Sequence, residues 1–525
     1  MANRDYSELS YLVAYSAQFY DTRHQRNRSK MTAKRKKPGQ VVANTEVSVF
    51  DTRSIDDVYD EIVALYKADS RPWVIGFSGG KDSTVTVQLV WMALARLPED
   101  ERTKPVHVIS SDTLVEAPVI AAYIGGILNK IEATAKKQGM PFTAQVVFPL
   151  LQDTFWVKMI GLGYPAPYRR FRWCTDRLKI QPASRFIEDK VVHHGEVVLL
   201  LGVRRAESIA RAQVMKRHRK PGDLVSRHTS LRSAWVYTPI EFFSTDDVWS
   251  YLLSAKSPWG ADNRQLLAMY RNAQAGECPL VVDTTTPSCG NSRFGCWTCT
   301  VVERDKSMEA MIDSGDVWME PLLELRDWLA GTRQPESKHE YREVRRRNGR
   351  IQQWGENEDR IVWGPYTLDT RRDILRRLLE AQEEVRRTGP DPRIELISDE
   401  QLHEIRRVWR VEEGDWEDSV PRIHRKVTGR DLEWVQEDAP ASNELDERVL
   451  VEVCQEHEVP AGLMRELMDL ERELQGLGRR YGVQNRIERI LAKDWRDPQQ
   501  VLTEIGWKPW GSNDELDEEG LLNEA

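Results

Sequence analysis

The fold of this protein is indicated by one stretch of sequence, residues 73–97, which reads WVIGFSGGKDSTVTVQLVWMALARL. Its first residues, Trp73 to Phe77, are mostly apolar, as in a short buried strand. From Thr84 onward the apolar residues recur with a helical period. Glycines and small polar residues separate the two patterns, so the stretch predicts a strand, a tight loop and a helix.

The loop, SGGKDS at residues 78–83, has the features of a phosphate-binding site. Gly79 and Gly80 allow backbone N–H groups to approach an anion closely, and the N-terminus of the following helix adds a partial positive charge. The polar side chains of the loop are those of Ser78, Lys81, Asp82 and Ser83. Asp82 is a candidate magnesium or structural ligand. The spacing differs from a Walker loop, and a plain glycine turn before a helix cap is the alternative interpretation.

Strand-like and helix-like segments alternate around this loop. The predicted strands are Trp73 to Phe77, Val106 to Ile109, Ala144 to Phe148 and Val197 to Leu201. The predicted helices are Asp56 to Lys67, Thr84 to Leu97 and Pro118 to Gln138. This alternation is typical of an α/β domain with a parallel sheet and crossover helices, which we place at residues 50–255. Ligands of such sheets bind beyond the carboxyl ends of the strands.

The rest of the chain divides by composition into three further segments. Residues 1–49 are predicted to form a short helix and a basic arm, and residues 256–310 a loop-rich region that holds most of the cysteines. Residues 311–525 are predicted to be a helical extension, with Asn443 to Leu477 among its helices.

Composition excludes several classes of protein. With 525 residues, of which 40% are hydrophobic and 30% charged, the chain is expected to fold into several globular domains. No apolar run approaches the ~18 residues of a membrane span, so we expect a cytoplasmic protein without a membrane partner. The net charge of -8 conceals three basic runs, Arg23 to Lys37, Arg204 to Lys220 and Arg342 to Arg350. Each run alone is typical of a solvated surface, whereas the three together are compatible with a nucleic acid partner.

The cysteines form one cluster in the sequence. Four of the six are spaced Cys-x10-Cys-x6-Cys-x2-Cys, and they are Cys278, Cys289, Cys296 and Cys299. In a chain expected to be cytoplasmic, this pattern favours metal binding over disulfides. Four thiolates can hold either tetrahedral zinc or an iron-sulfur cluster, and the spacing does not separate the two.

These motifs resemble the PP-loop ATP pyrophosphatase superfamily, and within it the branch of sulfonucleotide (PAPS and APS) reductases. HVISSDT places Asp112 after the second strand, like the family's Asp-Thr motif. WCTDRLKIQP resembles its Cys-Cys-x-x-x-Lys-x-x-Pro segment, and LLGVRRAESIAR its Gly-x-Arg-x-x-Glu-Ser-x-x-Arg segment. The resemblance covers about residues 50–300 and implies an adenine nucleotide alpha hydrolase-like fold that binds ATP with Mg2+.

The resemblance also implies roles for single residues. The residues expected to line the nucleotide, besides the loop, are Lys179, Arg204, Glu207 and Arg211. Catalytic roles are expected for Lys81, Asp82, Asp112 and Cys174. The alternative to nucleotide binding is that Arg204 and Arg211 form ion pairs on the protein surface.

A second resemblance concerns the cysteines. GCWTCT is similar to the Gly-Cys-x-x-Cys-Thr of iron-sulfur APS reductases, whose cluster also uses an upstream Cys-Cys segment. That segment is Trp173-Cys174 here, so five thiols compete for four positions. The string CGNSRFGCWTCTVVERDKSM and the helical extension resemble the DndC family of DNA phosphorothioation systems. This implies a 4Fe-4S cluster on the four late cysteines and leaves Cys174 as a persulfide carrier or an inert buried thiol.

The resemblance implies a sulfurtransferase that acts on DNA. Transfer of AMP from ATP would activate a backbone phosphate, pyrophosphate would leave, and sulfur from a cysteine desulfurase would replace a non-bridging oxygen. The other subunits of the phosphorothioation complex are the expected partners. Three alternatives stay open: a sulfonucleotide reductase, although the tail DELDEEGLLNEA lacks its catalytic cysteine, a tRNA thiolase, and a non-catalytic nucleotide-sensing scaffold of a defence complex.

Overall fold

The computed structural model describes residues 48–207, 223–273, 295–354, 360–432, 444–474 and 482–507. Several predicted features lie outside these residues. They are the N-terminal helix, the basic stretch Arg23 to Lys37, most of the basic run Arg204 to Lys220 with Arg211, and the cysteines Cys278 and Cys289. The structure therefore describes only part of the predicted nucleotide and metal sites.

The centre of the N-terminal half is a six-stranded sheet in the order β3-β2-β1-β4-β6-β5. Its strands are β1 (Trp73–Gly76), β2 (Val106–Ser111), β3 (Phe142–Val147), β4 (Val197–Leu200), β5 (Ser226–Arg227) and β6 (Ala234–Tyr237). All neighbouring pairs are parallel except β5 and β6. This confirms the predicted α/β class with a mostly parallel sheet, but the sequence analysis missed β5 and β6.

Helices cover both faces of this sheet. They are α1 (Ile55–Lys67), α2 (Lys81–Leu94), α3 (Pro118–Gln138), α4 (Trp173–Thr175), α5 (Gln181–His194), α6 (Thr245–Ser254) and α7 (Asn263–Ala273). The π-helical segments are Val157–Gly161 and Asp176–Ile180, and the latter joins α4 to α5. In β1, Trp73 and Ile75 pack into the larger core, whereas Val74 packs into the smaller core on the opposite face. This alternation is what a strand between two helical layers requires.

Local sequence explains where the main helices begin and end. Ser54 and Asp57 form a capping box at the start of α1. Pro118 occupies the first turn of α3, and Gly139 ends that helix with a left-handed φ of 59°. The predicted bounds of α3 are those observed, whereas α2 begins three residues earlier than Thr84, at Lys81.

Helices predominate beyond residue 305. They are α8 (Lys306–Asp313), α9 (Glu320–Gly331), α10 (Lys338–Tyr341), α11 (Leu368–Thr388), α12 (Asp399–Glu412), α13 (Ser419–Thr428), α14 (Glu444–Glu456), α15 (Ala461–Leu474), α16 (Val483–Leu491) and α17 (Pro498–Glu504). Two short antiparallel strands, β7 (Gln353–Trp354) and β8 (Arg360–Ile361), interrupt this series. The helix predicted over Asn443 to Leu477 is two helices, because Pro460 precedes α15 and Pro disfavours a helical conformation at the residue before it.

The later helices dock on the sheet domain through the segment Val157–Gly161. The indole N–H of the buried Trp409 donates to Ile160 O at 2.7 Å, and Arg371 Nη1 donates to Gly161 O at 2.9 Å. Trp409 and Ile160 belong to the same continuous core as β1 and α2. Within the described residues, no helix is both long enough and apolar enough to cross a membrane.

We expect Trp409→Phe to lower the free energy of unfolding by about 2–4 kcal/mol, because it removes a buried hydrogen bond and part of a large core side chain. Trp318→Phe is the control, since the partly exposed Trp318 bonds only the carboxylate of Asp316, at 3.2 Å. We expect the control to lose under about 1 kcal/mol. Denaturant midpoints measure both, and equal losses would contradict the docking role of Trp409.

Candidate functional site

The loop between β1 and α2 has the shape that the glycines of its sequence predict. Gly79 has a φ of 71°, and a Cβ at this position would lie 2.7 Å from Ile124 Cγ1 on α3. Gly80 is the N-cap of α2 and supplies no side-chain cap, while a Cβ on it would lie 3.0 Å from the hydroxyl of Tyr270. Only glycine fits both positions without strain. The glycines therefore leave backbone N–H groups accessible at the N-terminus of α2, which is the arrangement that an anion site requires.

The two serines of the loop hold its shape. Ser83 Oγ donates to Gly80 O at 3.0 Å and accepts from the backbone N–H of Ser78 at 3.2 Å. Thr84 Oγ1 also donates to Gly80 O, at 2.9 Å. Ser83 is buried, so its hydroxyl has a structural function in this conformation.

Lys81, Asp82 and Arg204 form one charged group. Asp82 Oδ2 lies 2.8 Å from Lys81 Nζ, and Asp82 Oδ1 accepts from Arg204 Nε at 2.7 Å. The Arg204 side chain is buried and also donates to Thr245 Oγ1 at 3.2 Å. A buried guanidinium requires such a counter-charge. Each carboxylate oxygen of Asp82 thus contacts one cation, which gives Asp82 a structural role in this conformation.

The loop after β4 packs directly on this group. A Cβ at Gly202 would lie 2.7 Å from Asp82 O and 3.0 Å from Thr86 Oγ1, so only glycine allows this approach. The loops after β1 and β4 meet where the order of the parallel strands reverses direction, which is the usual ligand site of an open α/β sheet. Sequence analysis quoted the LLGVRR motif without recognising this role of Gly202.

Tyr270 is a further residue of the site that sequence analysis missed. Its hydroxyl accepts from the backbone N–H of Lys81 at 3.2 Å, and Lys81 Nζ lies 5.4 Å from the centre of its ring. Tyr270 belongs to α7, in the region predicted to be loop-rich. Helical spacing of the apolar residues in NRQLLAMY was the available signal.

Asp112 shapes the turn after β2. Its carboxylate accepts from the backbone N–H of Leu114 at 2.7 Å, and Leu114 has a left-handed φ of 61°. Its charge contributes to the raised pKa of Glu116, although burial is the larger cause. Because β1 and β2 are parallel neighbours, Asp112 lies at the same edge of the sheet as the glycine loop.

Cys296 and Cys299 form a turn that is attached to this β2–α3 loop. Cys299 N–H donates to Cys296 O at 3.1 Å, and Trp297 N–H donates to Val115 O at 3.0 Å. Cys296 forms an isolated β-bridge with Glu116. The two late thiols that the structure describes are thus held at the carboxyl edge of the sheet.

Cys174 lies beside these two thiols, although the sequence analysis separated it from the metal set. Burial raises the pKa of Cys174, and the neighbouring Cys299 raises it further. Burial also raises the pKa of Cys296, to about 11, with smaller contributions from Glu116 and Cys174. We define the thiol site as Cys174, Cys296 and Cys299.

Lys179 is the cation of the thiol site. Its pKa is raised, chiefly by Cys296 and also by Glu116, whose Oε1 lies 3.7 Å from Lys179 Nζ. In the structure Lys179 is therefore a neighbour of the thiols. The nucleotide contact that the resemblance implies for it stays a prediction. Among the described residues, no three Cys, His, Asp or Glu side chains are arranged as a metal site.

The remaining predicted residues are less completely described. Glu207 ends a short 3-10 turn after β4, and the structure does not describe its side chain. Cys454, the sixth cysteine, is buried in α14, as expected for a core residue.

Two parts of the chain match models of known protein families. Residues 72–302 match the phosphoadenosine phosphosulfate reductase domain. Residues 445–492, which span most of α14 to α16, match a small protein found in certain Dnd DNA modification systems. The chain is therefore similar to the PAPS reductase domain over its sheet domain, and a later segment is similar to a small protein of Dnd systems. Both findings agree with the resemblances seen in the sequence.

One curated relative and several solved structures are also similar. The relative, an uncharacterised protein of Methanocaldococcus jannaschii, is 26% identical over 292 residues, which cover 54% of this chain and 49% of the relative. The chain thus spans about half the length of that protein.

The similar solved structures have low identity. PAPS reductase from Candida auris in complex with phosphate is 15% identical, with a TM-score of 0.27, over 42% of this chain and 88% of that chain. The tRNA thiolase NcsA from Methanococcus maripaludis, with its 4Fe-4S cluster, is 13% identical, with a TM-score of 0.26, over 42% and 74%. FMN adenylyltransferase from Candida glabrata with an ATP analogue is 14% identical, with a TM-score of 0.24, over 41% and 62%.

We expect Gly202→Ala to lower the free energy of unfolding by about 1–3 kcal/mol, because the added methyl group forces the β4 loop away from Asp82 O. Gly126→Ala in α3 is the control, since a Cβ there meets nothing within 4 Å. That substitution should stabilise the protein by about 0.5–1 kcal/mol. Chemical denaturation measures both changes. Wild-type stability of the Gly202 variant would show that the two loops are not in close contact.

Proposed function

We propose that this protein is a DndC-type sulfurtransferase of DNA phosphorothioate modification. In this proposal it uses ATP to activate a backbone phosphate, and sulfur then replaces a non-bridging oxygen. The observation that carries the proposal is that a glycine-lined anion loop and a thiol site occupy the same edge of one sheet. The matches to the PAPS reductase domain and to a Dnd-system protein support the choice of substrate class.

The loop is suited to hold the phosphates of ATP. The N-terminus of α2 offers its partial positive charge to a ligand, and Gly79 and Gly80 leave room for phosphate oxygens. Lys81 adds a cation whose direction is set by Asp82, which is itself fixed by the buried Arg204. The charged group is thus organised before the ligand binds, which favours stabilisation of departing pyrophosphate.

The proposed chemistry has two displacements. A non-bridging oxygen of the DNA phosphate attacks the α-phosphorus of ATP, and pyrophosphate leaves. The outer sulfur of a donor persulfide then attacks the DNA phosphorus, and AMP leaves with the oxygen that had attacked. A second thiolate, from a thiol reductant, attacks the inner sulfur and forms a disulfide with the donor, which leaves the outer sulfur on the phosphorus. Sulfur from a cysteine desulfurase and the other subunits of the phosphorothioation complex complete the proposed system. Mg2+ would be held mainly by the ATP phosphates, with Asp82 and Asp112 as the candidate carboxylates at this edge of the sheet.

The thiol site supplies ligands of the type that a cysteine-ligated metal centre uses, although the three thiols are not arranged around one point in the described residues. Cys174, Cys296 and Cys299 are close neighbours, and Lys179 offsets the negative charge of thiolates. Thiolates are the usual ligands of an iron-sulfur cluster. We propose that these three residues hold a 4Fe-4S cluster with one further cysteine, Cys278 or Cys289. This proposal revises the ligand set expected from the sequence, and when bound the cluster would supply iron as a redox centre or Lewis acid.

We expect Lys81→Ala to reduce ATP–pyrophosphate exchange by at least about 100-fold, because the loop loses its directed cation. In cells that carry the partner subunits, mass spectrometry of nuclease-digested DNA should then find no sulfur-containing dinucleotides. Lys136→Ala, which removes an exposed lysine of α3, is the matched control and should leave both readouts unchanged.

Three outcomes of these measurements would contradict the proposed function. Sulfur-containing dinucleotides that persist in the Lys81 variant would reject the role of ATP. Sulfite released from PAPS or APS would identify a sulfonucleotide reductase. Thionucleosides in RNA in place of DNA would identify a tRNA thiolase.

We expect Cys174→Ser to abolish iron binding in the anaerobically purified protein, because a cluster held by one further cysteine then lacks a thiolate. Elemental analysis and the visible absorption of the cluster measure the loss. Cys454→Ser, which changes a buried thiol of α14, is the control and should retain full iron content. If Cys174→Ser also retains iron while both Cys278→Ser and Cys289→Ser lose it, the ligands are instead the four late cysteines.

A further inference from the structure

Two basic segments distant in sequence meet on one surface of the protein. The first is the turn before α4, where Arg169 and Arg172 are exposed. The second is the loop after α10, where Arg347 and Arg350 are exposed and Arg346 is partly buried. We call these five residues the arginine surface.

Specific contacts hold the two segments together. The ring of Tyr164 stacks on that of Phe171 in the turn, with their centres 6.5 Å apart. The guanidinium of Arg347 lies 5.4 Å from the Tyr164 ring, and its Nη1 donates to Leu162 O at 3.4 Å. In the loop, Arg346 N–H donates to Arg350 O at 2.8 Å. The two segments that carry the five arginines are therefore in contact, and they come from both halves of the protein.

Within the described part of the chain, no carboxylate forms an ion pair with an arginine of the arginine surface. Other surface arginines, for example Arg387 and Arg393, form ion pairs at 3.0 Å or less. Among the residues that the structure describes, none of the five forms such a pair. Arg346 in addition has a buried Nη1 without a hydrogen-bond partner there. A group of unneutralised guanidiniums attracts a polyanion, and a planar guanidinium matches phosphate oxygens in geometry.

The position of the arginine surface connects it to the thiol site. Arg172 lies two residues before Cys174, and the indole of the intervening Trp173 packs on Tyr164 at 5.4 Å. From the other side, Thr300 Oγ1, next to Cys299, donates to Pro167 O at 2.6 Å. A polyanion on the arginine surface would therefore lie beside the thiols.

We propose that the arginine surface binds the DNA backbone on one side of the phosphate that is modified. This inference rests on the proposed function for the identity of the polyanion, and it adds the path of the strand. The contacts are phosphate contacts, so they position the DNA without reading its sequence. Their contribution to affinity must decrease as salt increases, because binding releases counterions.

Salt-dependent binding of a short DNA duplex by the full chain tests this proposal. The test variant is R169S/R172S/R347S, which leaves the partly buried Arg346 intact. The control is R387S/R393S/R407S, which removes the same charge from three exposed, ion-paired arginines. Fluorescence anisotropy at several KCl concentrations gives the slope of log affinity against log salt.

We expect the magnitude of this slope to be smaller by about 3 in the test variant, because each lost phosphate contact removes about 0.9 from the slope. Its affinity for DNA near physiological salt should fall at least about tenfold. The control should remain within about twofold of wild type. R169K/R172K/R347K should keep most of the slope, since lysine retains the charge. ATP affinity measured without DNA should stay at the wild-type value in all three variants, because the substituted residues lie outside the glycine loop.

Two results would overturn the proposal. One is that the test variant and the control weaken DNA binding equally, and the other is that RNA of the same sequence binds to the arginine surface more tightly than the DNA does. A different result separates this proposal from the proposed function. If the wild type catalyses no ATP–pyrophosphate exchange but its DNA affinity depends on the arginine surface, the proposed function fails and the DNA surface is supported.

Discussion

The arrangement of the glycine loop depends on one contact, between the loop after β4 and the first turn of α2. Gly202 allows an approach that would place a Cβ 2.7 Å from Asp82 O, and the buried Arg204 reaches the Asp82 carboxylate at 2.7 Å. Because a buried guanidinium without a counter-charge is strongly unfavourable, this pair holds the two loops together. The ion pair with Asp82 then orients the side chain of Lys81. The loops that follow two neighbouring strands, β1 and β4, thus form this arrangement together, and the glycine loop alone does not.

The loop after β2 organises the thiol site in a similar way. Glu116 forms a β-bridge with Cys296, and its carboxylate lies 3.7 Å from Lys179 Nζ. One short loop therefore holds the cysteine turn on one side and the helix that carries Cys174 on the other. Since β1 and β2 are parallel neighbours, the anion loop and the thiols occupy the same edge of the sheet. This arrangement suits a reaction in which an activated group passes from one site to the other.

The helical extension contributes to this edge of the molecule. Trp409 and Arg371 bond the backbone of the segment Val157–Gly161, which belongs to the sheet domain. The same docking brings the loop that carries Arg347 against Tyr164, near the turn that leads to Cys174. The extension thus adds cations beside the thiol site, so the two halves form one continuous surface there.

The sequence alone determined the strand, loop and helix around residues 78–83, the bounds of α3 and the α/β class, because apolar periodicity and glycine content are local properties. It also indicated that Arg204 and Asp82 share a site, through motif resemblance. Only the tertiary structure decided that Gly202 and Tyr270 complete the anion loop and that Cys174 joins Cys296 and Cys299. These contacts join segments far apart in the chain, and their formation depends on how helices pack across the sheet, which local patterns do not encode.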